Sequence, residues 1–197
     1  MNLPNKLTIL RIILSPFYFI LFFLPQWIGR GDIICAVLLG LVFIAIELSD
    51  LLDGYIARKQ NLITDLGKVL DPFADVLSRL TYFVCFTYAG IMPAWIFLVL
   101  MYREVAITFV RMLMMRKGIA MAASIFGKIK AITYMLSGIV GLFVFLSGLM
   151  NLSEGMSTAL RSLSLVIFII AAISSVLSFL TYIRAILRDE KRAAAAD

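Results

Sequence analysis

The chain has 197 residues, of which 62% are hydrophobic and 15% are charged. Soluble domains carry roughly 25% charged residues, so this composition excludes an ordinary soluble protein and predicts an integral membrane protein. The net charge of +6 favours membrane lipids and anionic substrates as partners, and nucleic acid is not expected. Because histidine is absent, acid–base chemistry falls to Asp, Glu, Lys or Tyr.

Six apolar stretches are long enough to cross a bilayer as helices, which takes roughly 20 residues each. They are residues 7–29, 33–57, 69–91, 94–115, 129–150 and 159–185. We therefore predict an all-α integral membrane protein, with one domain of six transmembrane helices over residues 1–190 and a disordered tail over 191–197. Pro4 and Lys6 precede Arg11 in a segment that predicts a short interfacial lead-in to the first helix.

Basic residues are divided unevenly between the two sides of these helices. Only Arg30 and Arg161 belong to the loops of one side, whereas the other side carries most of the remaining Lys and Arg. By the positive-inside rule, both termini and the loop between helices 2 and 3 are expected to be cytoplasmic. The sequence therefore predicts a multi-pass protein of the cytoplasmic (inner) membrane.

Four aspartates lie within sequence that otherwise suits lipid, where carboxylates are costly. Asp50 and Asp53 share one face of helix 2, and Asp71 and Asp75 share one face of helix 3. A short link makes these helices antiparallel neighbours, so the four carboxylates are expected to meet. They must be partly protonated or neutralised by cations, and oxygen ligands select Mg²⁺ or Mn²⁺, with Ca²⁺ as an alternative. Two such ions can stabilise the attacking and leaving oxygens of a displacement at phosphorus.

Small and basic residues between the aspartates suit the same phosphate chemistry. Gly54 and Ala57 leave room for a base or a phosphate beside the helix, and Arg58 offers a planar fork for phosphate oxygens. Gly67 removes side-chain bulk near the start of helix 3. We predict that Pro72 lies inside this helix and kinks it, rather than starting it.

The segment from Asp50 to Asp75 resembles the full signature of the CDP-alcohol phosphotransferase family. The matching positions are Asp50, Asp53, Gly54, Ala57, Arg58, Gly67, Asp71 and Asp75. The resemblance implies a six-helix membrane enzyme, working as a homodimer, that transfers a phosphatidyl or phospho-alcohol group from a CDP-linked donor to a hydroxyl. It implies that the four aspartates hold two metal ions and that Asp75 also takes the proton of the acceptor hydroxyl. The CDP-binding positions that it implies are Asp50, Gly54, Ala57, Arg58 and Gly67.

Cations outside the signature bear on the acceptor. Arg103, Arg111, Lys128 and Lys130 are predicted to bind an acceptor that carries its own phosphate. Arg103 lies near the middle of its predicted helix, where an unpaired cation costs at least about 2–3 kcal/mol, so Glu47 or a bound anion is expected as its partner. A structural ion pair for Arg103, and snorkelling of the other three to lipid headgroups, are the alternatives.

Three looser motifs resemble the phosphatidylglycerophosphate synthase branch of the family. They are residues 3–11, the Arg103-Glu104-x6-Arg111 run and residues 122–133. This resemblance implies conversion of CDP-diacylglycerol and sn-glycerol 3-phosphate to phosphatidylglycerophosphate and CMP. Val76 departs from that branch, which usually has Lys there, and Arg79 is the candidate substitute. Inositol phosphate, phosphatidylglycerol, serine or choline as acceptor is the alternative within the family, and a cation transporter is the remote one.

Overall fold

The computed structural model describes residues 2–29, 32–60, 64–116, 125–149 and 153–194. Within these ranges the chain is helical, which confirms the all-α prediction. The six helices are α1 (Leu3–Ile28), α2 (Asp32–Lys59), α3 (Asp65–Tyr88), α4 (Ala94–Arg116), α5 (Ile125–Leu149) and α6 (Glu154–Ala194). Helix α6 thus continues past residue 190, and residues 195–197 of the predicted tail lie outside the described residues.

Four of these helices contain a stretch that is long and apolar enough to cross a membrane. They are α1, most of α2 (Ile33–Ala57), α5 and α6 (Glu154–Arg188). Charged side chains interrupt the apolar sequence of the other two helices. These are Asp71, Asp75 and Arg79 in α3, and Arg103 and Glu104 in α4. The protein is therefore a membrane protein with four clear candidate spans among its described helices.

Helix α1 begins directly after its cap, Asn2, whose side-chain oxygen accepts a hydrogen bond from the backbone N–H of Asn5 at 3.2 Å. Pro4 lies in the first turn, where its fixed backbone angle suits a helix start. Pro4, Asn5, Thr8 and Arg11 are all buried. The interfacial lead-in predicted here is therefore corrected, because these residues form the start of α1 and pack against protein.

The helices form two contacting groups. Helix α1 packs against α2 and α3, and α5 packs against α6, while α3 and α2 contact α5, and α4 lies against α3 and α6. A tight turn between α3 and α4 includes Gly90 with φ of 66°, a left-handed conformation that favours glycine. A core that includes Tyr82 and Phe86 of α3, Tyr134 of α5 and Phe168 of α6 joins the groups.

Close approach of α5 to this core depends on two glycines. A Cβ added to Gly138 would lie 2.8 Å from the ring of Phe43, and one added to Gly141 would lie 2.5 Å from the ring of Phe86. Because the rings are fully enclosed, neither can simply rotate away. Side-chain-free backbone is therefore required where α5 meets α2 and α3.

Gly141→Ala is expected to destabilise the protein by about 1–3 kcal/mol, since overpacking forces the helices apart. Reversible unfolding in mixed micelles, followed by helical circular dichroism, measures the change. The matched control is Gly148→Ala, because a Cβ at Gly148 meets nothing within 4 Å. Equal stability of the two variants would contradict the packing described.

Candidate active site

The four signature aspartates converge on one guanidinium group, that of Arg11 in α1. Its Nη1 donates to Asp50 Oδ1 at 2.5 Å and to Asp75 Oδ1. Its Nη2 donates to Asp53 Oδ2 and, at 3.0 Å, to Asp71 Oδ1. The arrangement brings the facing sides of α2 and α3 together, as the spacing of the aspartates predicted, with α1 as the third wall.

Exposure is graded across this centre. The side chain of Arg11 is 1% exposed and that of Asp53 is 5% exposed. Asp50 and Asp75 are exposed by 29% and 26%, and Asp71 by 49%. On the closed side, Asp53 Oδ2 also accepts a hydrogen bond from Thr8 Oγ1 at 3.2 Å. The centre is therefore a pocket that opens beside Asp71.

The donor set fits a hard divalent cation. One carboxylate oxygen each from Asp50, Asp53 and Asp71 lies within 4.8 Å of the others. Oxygen-only ligands of this kind suit Mg²⁺ or Mn²⁺ better than softer ions. These three residues are thus able to hold a metal ion, and the role of Asp75 as a fourth ligand stays a prediction.

A second cation, Arg79 in α3, borders the centre. Its Nη2 lies 3.5 Å from Asp75 Oδ2 and 3.6 Å from Asp50 Oδ2. Two guanidinium groups against four carboxylates leave two formal negative charges, which one divalent ion would balance. The arrangement therefore retains a net attraction for a divalent cation.

Two buried tyrosines lie beneath the centre. Tyr18 follows Arg11 by seven residues and Tyr82 follows Asp75 by seven, so each lies two turns deeper on the same helix face. Their rings are 6.5 Å apart in an edge-on arrangement. Neither hydroxyl has a hydrogen-bond partner among the described residues. The two rings lie between the charged centre and the apolar core.

The start of α3 fits closely against α1. Thr64 caps α3 by accepting from the backbone N–H of Gly67 at 3.0 Å, and Asn5 Nδ2 donates to Thr64 Oγ1 at 3.1 Å. A Cβ at Gly67 would lie 2.8 Å from Asn5 Oδ1, so a larger residue here would displace the Asn5 side chain from its present position. Pro72 lies inside α3, as predicted.

The remaining positions predicted to bind CDP lie on α2. Gly54 and Ala57 are half-buried, and the side chain of Arg58 lies outside the described residues. Contact with CDP stays a prediction for these three residues, as it does for Asp50 and Gly67.

The cations predicted to bind the acceptor are divided between two places. Arg103 Nη1 donates to Glu104 Oε1 at 2.8 Å, and Lys130 Nζ donates to the same oxygen at 2.7 Å, all three side chains being buried. Arg111 instead donates to the hydroxyl of Tyr182 at 3.3 Å. The side chain of Lys128 is exposed. The partner of Arg103 is thus Glu104, where the sequence suggested Glu47 or an anion, and phosphate binding by the four cations stays a prediction.

The side chain of Tyr134 connects the aspartate centre with the buried cations. Its ring centroid lies 5.9 Å from the guanidinium carbon of Arg79 and 4.6 Å from Lys130 Nζ. Its hydroxyl is 2.7 Å from Ser175 Oγ. The contacts place the Arg103–Glu104–Lys130 cluster beside the carboxylates, on the α5 side of α3.

Comparison with known proteins agrees with this geometry. The sequence model of the CDP-alcohol phosphatidyltransferase family matches residues 1–177. The chain belongs to this family. A relative in Bacillus subtilis is 40% identical over 135 residues, covering 66% of this chain and 70% of that protein. A relative in Treponema pallidum is 32% identical over 196 residues, covering 93% of this chain and 88% of that protein. Both are named CDP-diacylglycerol–glycerol-3-phosphate 3-phosphatidyltransferase.

In this CDP-alcohol phosphatidyltransferase, Val76 lies away from the charged centre. It lines an apolar groove of about 340 Å³ between α3 and α4, together with residues that include Leu80 and Phe97. Arg79, like Arg11, is a basic side chain that lies beside Asp75. An apolar residue therefore suits position 76, and the cation of this region comes from one turn further along the helix.

Sequence reasoning missed Arg11 as a site residue of this CDP-alcohol phosphatidyltransferase. The sequence places this residue only at the end of the predicted lead-in and within the motif of residues 3–11. One signal was available, because Arg11 is the only basic residue between Lys6 and Arg30. A lone cation in an apolar helix requires a partner, and the four aspartates were the obvious source.

Proposed function

We propose that the protein converts CDP-diacylglycerol and sn-glycerol 3-phosphate to phosphatidylglycerophosphate and CMP. The observation that carries this proposal is the convergence of four signature aspartates in a half-open pocket. The names of the Bacillus subtilis and Treponema pallidum relatives support the choice of donor and acceptor. The buried cations near Tyr134 support an acceptor that carries a phosphate.

The aspartates and their neighbours bind the donor in this proposal. Asp50, Asp53, Asp71 and Asp75 hold two Mg²⁺ or Mn²⁺ ions, which when bound stabilise negative charge on the transferring phosphate. The CDP portion is bound by Asp50, Gly54, Ala57, Arg58 and Gly67. The opening beside Asp71 is the side from which the diphosphate enters.

The acceptor binds on the side of the cations. Its phosphate is held by Arg103, Arg111, Lys128 and Lys130. Asp75 takes the proton of the acceptor's 1-hydroxyl, whose oxygen then attacks the β-phosphorus of the donor. The bond from that phosphorus to the bridging oxygen breaks, and CMP leaves with the electron pair. Arg79 keeps Asp75 oriented through its contact with Oδ2.

Membrane placement completes the proposal. All six helices cross the cytoplasmic membrane as one domain over residues 1–190, with both termini and the aspartate pocket on the cytosolic side. The distribution of basic residues supports this orientation. The lipid donor then arrives from the bilayer and the polar acceptor from the cytosol. Resemblance to the family supports a homodimer.

Purified protein in detergent is expected to release CMP from CDP-diacylglycerol only when both a divalent cation and glycerol 3-phosphate are present. The measurement compares glycerol 3-phosphate with inositol phosphate, phosphatidylglycerol, serine and choline, each with Mg²⁺, with Mn²⁺ and with EDTA. Absence of CMP release with every phosphorylated acceptor would refute the proposal. Metal flux into proteoliposomes that lack a CDP-lipid would favour a transporter instead.

A further inference from the structure

The guanidinium of Arg11 and a metal ion compete for the same place. Asp50, Asp53 and Asp71 offer oxygens within 4.8 Å of one another, and the guanidinium of Arg11 lies among these carboxylates, bonded to each of them. A carboxylate oxygen that directs its lone pair at a metal ion no longer accepts the same N–H bond in the same geometry. Coordination of an ion at the centre of the cluster therefore requires Arg11 to give up contacts.

Nothing else in the described part of the chain holds this guanidinium. Its two Nη atoms donate to the four aspartates, and its Nε is buried without a hydrogen-bond partner. The side chain thus has no second anchor that would keep it in place once the carboxylates turn to another cation. Its position depends on the aspartates alone.

We propose that Arg11 is a positioning residue that neutralises the four aspartates while no ion is bound and, by competing for their oxygens, sets how tightly they bind the metal. This inference rests on the proposed metal centre. Before an ion binds, Arg11 offsets the mutual repulsion of the carboxylates and keeps Asp53 compensated in its closed site. When an ion binds, the same positive charge opposes it and weakens the affinity.

These two effects distinguish the proposal from a purely structural role. Loss of a merely structural arginine would lower stability and would also weaken metal binding, because the ligands would separate. Loss of a competing cation lowers stability without metal but tightens metal binding. The affinity for the ion alone, without substrates, is therefore the decisive quantity.

The test uses Arg11→Met, which keeps the length of the side chain and removes its charge. Binding of Mn²⁺ alone is measured by electron paramagnetic resonance of the free ion in detergent solution. The dissociation constant is expected to fall by roughly tenfold or more, because a unit positive charge a few ångströms from the ion is removed. In EDTA the variant should unfold at a lower temperature than the parent. Mn²⁺ should raise the unfolding temperature of the variant by more than it raises that of the parent.

Arg161→Met is the matched control, since it removes the same charge from an exposed site at the other end of the bundle, near the start of α6. Its Mn²⁺ affinity should equal that of the parent. Unchanged or weaker binding in Arg11→Met overturns the inference.

A second variant keeps the inference testable when Arg11→Met does not fold. In Arg11→Lys one ammonium group cannot span both carboxylate pairs, so the dissociation constant for Mn²⁺ is expected to fall by about threefold or more. Equal or weaker binding overturns the inference here too. The binding measurement contains no substrate, so it is independent of the CMP assay. If the parent releases CMP normally but Arg11→Lys has unchanged Mn²⁺ affinity, this inference alone is refuted. If the variant binds Mn²⁺ more tightly but the parent releases no CMP, the proposed reaction alone is refuted.

Discussion

Asp75→Asn is expected to lower the rate of CMP release by a factor of about 10² to 10⁴ while the protein still folds. An amide has no basic oxygen to take the proton of the acceptor hydroxyl, so the attacking oxygen keeps its proton. The fold should survive because Arg11 retains three aspartate partners and Arg79 retains Asp50. Replacing one of four mutually repelling carboxylates leaves no buried cation unpaired.

Initial rates of CMP release at saturating donor and acceptor measure this loss. Glu154→Gln is the control, because it makes the same chemical change in the exposed first turn of α6. Its rate should match that of the parent. An Asp75→Asn protein with parental activity would assign the proton to another group and would leave the aspartates with a binding role only.

Glu104→Leu is expected to destabilise the protein by about 3–5 kcal/mol, since removal of one partner leaves buried charge uncompensated. Glu104 Oε1 is the shared acceptor of Arg103 and Lys130, and all three groups lie between α4, α5 and α6. Among the described residues, Arg103 would keep its neutral contacts, to the carbonyl of Ser175 at 3.2 Å and to the hydroxyl of Ser178 at 3.0 Å. Lys130 would keep the ring of Tyr134.

Unfolding by titration with sodium dodecyl sulfate measures the loss, and a double-mutant cycle with Lys130→Met separates the pair from its surroundings. Lys130→Met in the Glu104→Leu background should cost less than in the parent, because it removes an unpaired charge. Additive effects of the two substitutions would show that Glu104 and Lys130 do not interact.

The aspartate pocket could be predicted from the sequence because local geometry fixes it. Asp50 and Asp53 are three residues apart and Asp71 and Asp75 are four apart, so each pair must share a helix face. The short link between α2 and α3 then brings the two faces together. No knowledge of the remaining helices is needed for this step.

The contacts of Arg11 and Arg103 could not be predicted in the same way. Arg11 meets residues that are 39 to 64 positions away, and its spacing does not give the rotation of α1. Arg103 pairs with the adjacent residue, although neighbours on a helix point about 100° apart and seldom face each other. Long side chains in a buried site bridge that angle.

Polar residues at the start of α1 and charges in α3 and α4 explain the other differences. A polar helix face looks the same in sequence whether it meets headgroups or other helices, so the first turns of α1 resembled an interfacial segment. Asn5 and Thr8 instead bond to Thr64 and Asp53. Helices α3 and α4 each carry several of the charged residues of the site, and neither is among the four candidate spans.

Transfer of label from glycerol 3-phosphate to lipid tests the proposed reaction directly. The protein is incubated with unlabelled CDP-diacylglycerol, radiolabelled glycerol 3-phosphate and Mg²⁺, and the organic extract is separated by chromatography. The label should appear as phosphatidylglycerophosphate, with one CMP released for each labelled lipid, and EDTA should abolish both products. Release of CMP while the label stays in the aqueous phase, or preferential transfer to another acceptor, would contradict the proposed function.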